Sequence, residues 1–211
     1  MLKILVADDH PIVRQGIKQI IADTTDMVVA GEAANGQEVL NAVKENPYDV
    51  ILLDIAMPGP NSIDILKQLK KDKPQIAVLI LSIHPEEQYA VRTLKAGASG
   101  YLTKESAPDE LVEAIRKVSK GGKYITSSLA ESLATILIKE DQGLPHTILS
   151  DREYQVLLMI SSGKTNKEIA DELSLSVKTI STHHTRILNK MNMRTNAELI
   201  HYVIKHELED Q

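Results

Sequence analysis

Val50-Ile51-Leu52-Leu53-Asp54 sets four aliphatic residues in a row against a closing acid. A short, unbroken apolar run of this kind fits a strand buried on both faces of a parallel sheet. Working outward, comparable runs stand at residues 4–7, 27–30, 77–81 and 100–103, each followed by a longer stretch with helical apolar spacing. Five β-α units of this kind predict a doubly covered parallel sheet with right-handed crossovers, in the flavodoxin-like order 2-1-3-4-5. The punctuation agrees. Pro11 is placed to open the first helix, Pro58 and Pro60 interrupt the chain after the third strand, and Gly97 follows the fourth helix.

Polar groups close these runs: Asp8 with Asp9, then Asp54, Ser82 and Lys104. In this sheet order, ligands sit beyond the carboxyl ends of the strands at the switch point between strands one and three, where Asp8, Asp9 and Asp54 fall. Singly, each has a bland explanation. Asp9 or Asp54 alone reads as a helix cap, Ser82 as a turn hydroxyl and Lys104 as a solvated lysine. Together they form a chemical set, in which carboxylates hold a hard divalent cation, another carboxylate is a nucleophile, and a hydroxyl and an ammonium receive phosphoryl oxygens.

The chain of 211 residues is long for one domain and comfortable for two. Its net charge is −5, only 3% of residues are aromatic and there is neither Trp nor Phe, so the cores fall to Ile, Leu, Val, Ala and Met. Cysteine is absent, which excludes disulfides and thiolate metal sites. The opening MLKILVADD meets two acids too soon for a signal-peptide core or a membrane span. A soluble cytoplasmic protein without a membrane partner is expected.

Past Gly121-Gly122 the pattern changes. The divisions expected are 1–122, a linker at 123–148 and a second domain at 149–211. Within the linker, apolar spacing at Leu129, Leu133, Ile136 and Leu137, with Ser128 and Glu131 as a capping pair, predicts a helix over 127–140. Gly143 and Pro145 then break the chain. From residue 149 onward only helices are expected. Their starts are marked by Ser150 with Glu153, Thr165 with Glu168 and Thr195 with Glu198. Residues 164–173 and 176–191, joined by Ser174-Leu175-Ser176, become the arms of a helix-turn-helix within an all-α, four-helix domain whose last helix runs from 196 to about 207.

Residues 149–211 carry 8 Lys/Arg and 9 Asp/Glu, so this half is not basic in bulk. Between Leu173 and Ala197, however, stand Lys178, Arg186, Lys190 and Arg194 with no acid, the footprint of phosphate contact. At about 100° per residue, Ile180, Ile187 and Met191 share one helix face, while Lys178, Thr182, Thr185, Arg186 and Asn189 share the opposite one. One face is core; the other suits double-stranded DNA. His183 and His184 are adjacent, diverge around the helix and make a poor metal pair.

The first half resembles the receiver domain of two-component response regulators through VADDHP (6–11), LLDIAMPG (52–59), LILS (79–82) and AGASGYLTK (96–104). The resemblance implies Mg²⁺ (or Mn²⁺) held by Asp9 and Asp54, with Asp8 assisting through water and the backbone carbonyl of Ala56 completing the protein's share. It implies that Asp54 accepts a phosphoryl group from a sensor histidine kinase, that Lys104 clamps it, and that Ser82 and Tyr101 form the switch. Ser62 departs from the glycine common there.

The second half resembles LuxR-type output domains through LSDREYQVL (149–157), SGKTNKEIADELSLSVKTISTHHTRILNKM (162–191) and RTNAELIHYVI (194–204). Together the halves resemble the NarL/FixJ subfamily. By position this implies base contacts from Ser181, Thr182 and Thr185 and phosphate contacts from Lys178, Thr179, Arg186 and Lys190. Lys164, Thr165 and Asn166 would graze the backbone. It further implies a homodimer, formed on phosphorylation through Leu199, Val203 and Ile204 and seated on inverted promoter half-sites, where RNA polymerase is a further partner. An aspartyl phosphatase would want a second acid where Ala56 stands, and a flavin binder a phosphate loop in place of Asp8-Asp9. The remaining rival is a DNA-binding regulator that keeps the receiver fold without using phosphate.

Overall fold

Strands β1 (Leu2–Ala7), β3 (Val50–Asp54) and β4 (Ala77–Ser82) form the middle of a five-stranded parallel sheet, and every residue of β3 and β4 is buried. The computed structural model describes residues 1–58, 60–83, 86–126, 129–130, 144–206 and 208. With β2 (Met27–Ala33) and β5 (Gly100–Thr103) at the edges, the order is β2-β1-β3-β4-β5, as the β-α alternation predicts. β2 runs to Ala33 rather than stopping at residue 30. As an edge strand its exposure alternates, so Gly31 and Glu32 take part in pairing without the continuous apolar signature of the inner strands.

The helices α1 (Pro11–Ala22) and α5 (Ala107–Ser119) cover one face, packing Ile17, Ile21, Leu111, Ala114 and Ile115 on Ile4, Val6, Leu52 and Leu79. α2 (Gly36–Glu45), α3 (Ser62–Asp72) and α4 (Glu86–Lys95) cover the other. Each buried aliphatic side chain contributes about 1.5–3 kcal/mol of transfer free energy, which lets a core without Trp or Phe suffice. Local chemistry sets the helix starts: Pro11 occupies the first turn of α1, Asn35 accepts from the Glu38 N–H, and Asn61 accepts from the Ile63 N–H.

The chain divides into two compact units, Met1–Ala130 and Glu131–Gln211. The helix expected over 127–140 falls almost wholly outside the described residues. In the second unit a 3-10 turn at Pro145–Ile148 precedes α6 (Asp151–Ser161), α7 (Asn166–Glu172), α8 (Val177–Met191) and α9 (Asn196–Lys205). Ser150 and Thr165 close full capping boxes with Glu153 and Glu168, and Thr195 accepts from the Glu198 N–H. Gly163, at φ 83°, ends α6, and Ser174, at φ 53°, makes the turn between α7 and α8. The α8 face reading is met: Ile180, Ile187 and Met191 are buried, while Lys178, Thr182, Thr185, Arg186 and Asn189 are exposed.

Candidate functional site

Register carries the acids together. Ala7 pairs with Leu53, so Asp8 leaves β1 beside the end of β3, where Asp54 stands opposite Leu81 of β4. Ser82 pairs with Thr103, and the Lys104 N–H donates to the Ser82 carbonyl at 2.7 Å, placing the lysine at the same sheet edge. Four chain segments therefore converge. Lys104 Nζ lies 2.7 Å from Asp8 Oδ2 and donates to Asp54 Oδ2 at 2.8 Å, while Asp54 Oδ1 accepts from the Ala56 N–H at 3.0 Å. Ser82 and Tyr101 are both fully buried.

Burial pushes the Asp54 carboxyl above the ordinary carboxylate value; Lys104 and the Ala56 N–H oppose this, and Asp8 adds to it. Burial works against the Lys104 ammonium, but Asp54 and Asp8 outweigh it and hold its pKa above the usual lysine value. The buried Asp8 Oδ2 and Asp9 Oδ1 accept no well-directed hydrogen bond among the described residues. Their near neighbours are the Lys104 ammonium and, at 2.8 Å, His10 Nδ1. Donor atoms of Asp8, Asp9, His10 and Asp54 all lie within 4.8 Å of one another. Anionic oxygens this crowded, with lone pairs to spare, fit a hard divalent cation.

Asp9 is not the cap of α1. His10 holds that position and its ring makes no capping bond, so the helix-cap explanation of Asp9 fails. Two residues near the acids carried no expectation. His10 joins the donor cluster, and Arg14 donates from its guanidinium to the Asp8 carbonyl at 2.7 Å while pairing with Glu32 at 3.1 Å. The available signals were His10 directly following the acid pair and Arg14 on the first turn of the next helix. Ser62, in place of the common glycine, is buried, and its hydroxyl has no hydrogen bond among the described residues.

On the second unit, Ser176, Lys178, Thr179, Thr182, His183 and Arg186 line an open depression of about 350 Å³ on the outer face of α8. Thr182 and Thr185 donate to the carbonyls of Lys178 and Ser181, leaving Ser181, Thr182 and Thr185 exposed on that face. Burial, with Arg152 and Arg186 nearby, lowers the His183 pKa, while His184 turns away to Asn196. Near the start of α7, Thr165 is spent on its capping box, Lys164 pairs with Glu172 at 2.6 Å, and Asn166 reaches Ser181 at 3.4 Å.

Three of the expected site residues are engaged within the second unit itself. Lys190 donates at 2.6 Å to the buried Glu153, whose pKa is lowered because Lys190 and Ser150 outweigh its desolvation. Its ammonium thus ties α8 to α6, and a phosphate would have to compete for it. Leu199 and Val203 are 0% exposed and belong to the core of their own unit, whereas Ile204, 57% exposed, faces outward. An apolar stripe on a terminal helix looks the same in sequence whether it covers its own domain or a partner.

The "Response regulator receiver domain" family matches residues 4–116, and "Bacterial regulatory proteins, luxR family" matches residues 147–203. The chain is a response regulator with a LuxR-type output domain. Response regulator UvrY of Escherichia coli is 36% identical over 99% of the chain and 96% of its own length. Response regulator GacA of Pseudomonas aeruginosa is 36% identical over 100% and 99%, and oxygen regulatory protein NreC of Staphylococcus epidermidis 36% over 98% and 99%. These place this response regulator in the NarL/FixJ group. A solved structure of Salmonella enterica RcsB, bound to promoter P1flhDC in the presence of phosphomimetic BeF3⁻, aligns with a TM-score of 0.61 at 27% identity, covering 96% of this chain and 97% of that one. This response regulator is accordingly a DNA-binding transcription regulator, and no helix among its described residues is long and apolar enough to cross a membrane.

Proposed function

We propose that Asp54 accepts a phosphoryl group from a sensor histidine kinase and that this modification controls operator binding by the second unit. The observation that carries the proposal is the lysine bridge: Lys104 Nζ spans Asp8 Oδ2 and Asp54 Oδ2 at the carboxyl edge of the sheet. Asp8, Asp9, Asp54 and the carbonyl of Ala56 would hold Mg²⁺. When bound, the cation supplies neutralisation for the oxygens of the phosphoryl group in transfer.

An Asp54 oxygen attacks the phosphorus of the kinase phosphohistidine. The P–N bond breaks, its electron pair departs on the imidazole, and that ring takes up a proton. The Ala56 N–H and Lys104 fix both Asp54 oxygens beforehand, so the nucleophile is oriented at no further entropic expense. Lys104 then balances the charge of the new phosphoryl group, as positioned cations do in other phosphoryl transfers. Ser82, buried at the end of β4, is placed to receive a phosphoryl oxygen, and movement of Tyr101 in β5 would report the change.

For the output domain, assigned to 149–211 beside a receiver at 1–122, Ser181, Thr182 and Thr185 would meet base edges while Lys178, Thr179 and Arg186 hold phosphates. Lys164, Thr165 and Asn166 approach the backbone less freely, given their internal partners. Pairing on inverted half-sites would use Ile204 rather than Leu199 or Val203, and a promoter-bound pair would meet RNA polymerase. RcsB, bound to promoter DNA with a phosphomimetic, supports the link between the two events.

Acetyl phosphate with Mg²⁺ is expected to tighten binding of the full chain to an operator selected from random duplexes by at least about tenfold, the scale of a modest allosteric coupling. Asp54→Asn should show no gain. Equal wild-type affinity with and without the phosphodonor would leave a regulator indifferent to phosphate.

A further inference from the structure

The cluster of donors at the sheet edge contains one group that the phosphoacceptor reading leaves unused, the imidazole of His10. It stands at the cap position of α1 in an extended conformation, φ −86° and ψ 111°, yet contributes no side-chain capping bond. Its backbone N–H donates to Asp8 Oδ1 at 2.8 Å, which pins the residue to the acid pair. Its ring Nδ1 lies 2.8 Å from Asp9 Oδ1 and 3.3 Å from Asp8 Oδ1. With 64% of the side chain exposed, nothing buries the ring there; the acids are what it adjoins.

Neighbouring ligands of an octahedral cation with bonds of about 2.1 Å sit about 3 Å apart. The spacings from Nδ1 to the two carboxylate oxygens bracket that separation, and the whole donor set spans no more than 4.8 Å. A purely oxygen site suits Mg²⁺, whereas an imidazole nitrogen adds affinity for first-row transition cations and little for Mg²⁺. We infer that His10 is a nitrogen ligand of the cation held by the acid cluster and that it biases this site toward Mn²⁺ over Mg²⁺. The inference rests on the acid cluster being a cation site.

A different role for His10, as a mere hydrogen-bond partner of the acids, makes an opposite prediction. A ring that only competes with the cation alters Mg²⁺ and Mn²⁺ affinity equally when removed. A ligand changes their ratio.

The test uses the full-length chain at pH 7.5. Electron spin-echo envelope modulation of bound Mn²⁺ is expected to show coupling to an imidazole nitrogen in the wild type and none in His10→Leu. Calorimetric titrations should show the Mn²⁺-to-Mg²⁺ affinity ratio falling at least fivefold in His10→Leu. Mn²⁺ bound to the wild type without nitrogen coupling, or equal changes for both cations, overturns the inference while leaving the cation site intact. The wild-type spectrum decides even if the variant folds poorly. Absence of saturable Mn²⁺ binding, or binding undiminished in Asp9→Asn, overturns the cation site itself and His10's part with it.

Discussion

Replacing Lys104 with methionine is expected to slow phosphorylation of Asp54 by acetyl phosphate about 100- to 1000-fold, the loss usual when one preorganised charge is taken from a transition state. The Lys104 side chain is 13% exposed and its ammonium lies between Asp8 Oδ2 and Asp54 Oδ2, so it is in place before any phosphoryl group arrives. Its pKa, held up by Asp54 and Asp8 against its own burial, keeps it charged at neutral pH. The same substitution strands two fully buried carboxylates. Breaking a buried ion pair from one side costs about 3–5 kcal/mol, and here the loss falls on the cation-free protein. Mg²⁺ should therefore bind Lys104→Met more tightly than wild type, by about tenfold for each 1.4 kcal/mol of relief, although the phosphorylation rate falls. A calorimetric Mg²⁺ titration beside a phosphorylation time course reads both quantities. Equal rates in the two proteins would remove Lys104 from the chemistry.

Asp54→Asn should make the cation-free protein more stable at pH 7 while ending its phosphorylation. Burial raises the folded-state pKa of Asp54 above its unfolded value, so folding favours the protonated carboxyl. The favourable contribution of that proton is complete below the unfolded pKa and is lost as pH rises through the folded pKa; at neutral pH the charged group opposes folding. Asparagine keeps the shape without the charge, and Lys104 retains Asp8 as partner. The size of the gain follows how far burial lifts the folded-state pKa of Asp54. The gain should shrink as pH falls toward the unfolded carboxyl range, and Mg²⁺ should stabilise wild type more than the variant. Calorimetric melts across pH with and without Mg²⁺ measure this. A variant no more stable at pH 7 would mean that Lys104 offsets the desolvation of Asp54 in full.

Much of the receiver was legible because burial on both faces leaves a plain trace. Val50 to Leu53 and Ala77 to Leu81 are unbroken aliphatic runs, and the polar residue after each marks the sheet edge. The apolar run of edge strand β2 ends before the strand does, since Gly31 and Glu32 pair through their backbones and need no apolar side chains. The helix-turn-helix was legible for a different reason: capping boxes at Ser150 and Thr165 announce helix starts in side-chain chemistry. What sequence could not supply was the choice of partner. Lys190 belongs to a basic strip until Glu153 is seen 2.6 Å away, and Leu199 with Val203 could face a second copy until their own core encloses them. A single histidine after two acids has no periodicity to mark it; only the fold brings the His10 ring against both carboxylates.

Asp54 is the residue proposed to carry the transferable group. Wild type and Asp54→Asn, exposed to acetyl phosphate and Mg²⁺, can be compared by phosphate-affinity electrophoresis with intact-mass detection. One hydroxylamine-labile phosphoryl group is expected on the wild type and none on the variant. An unmodified wild type, or equal labelling of both proteins, would contradict it.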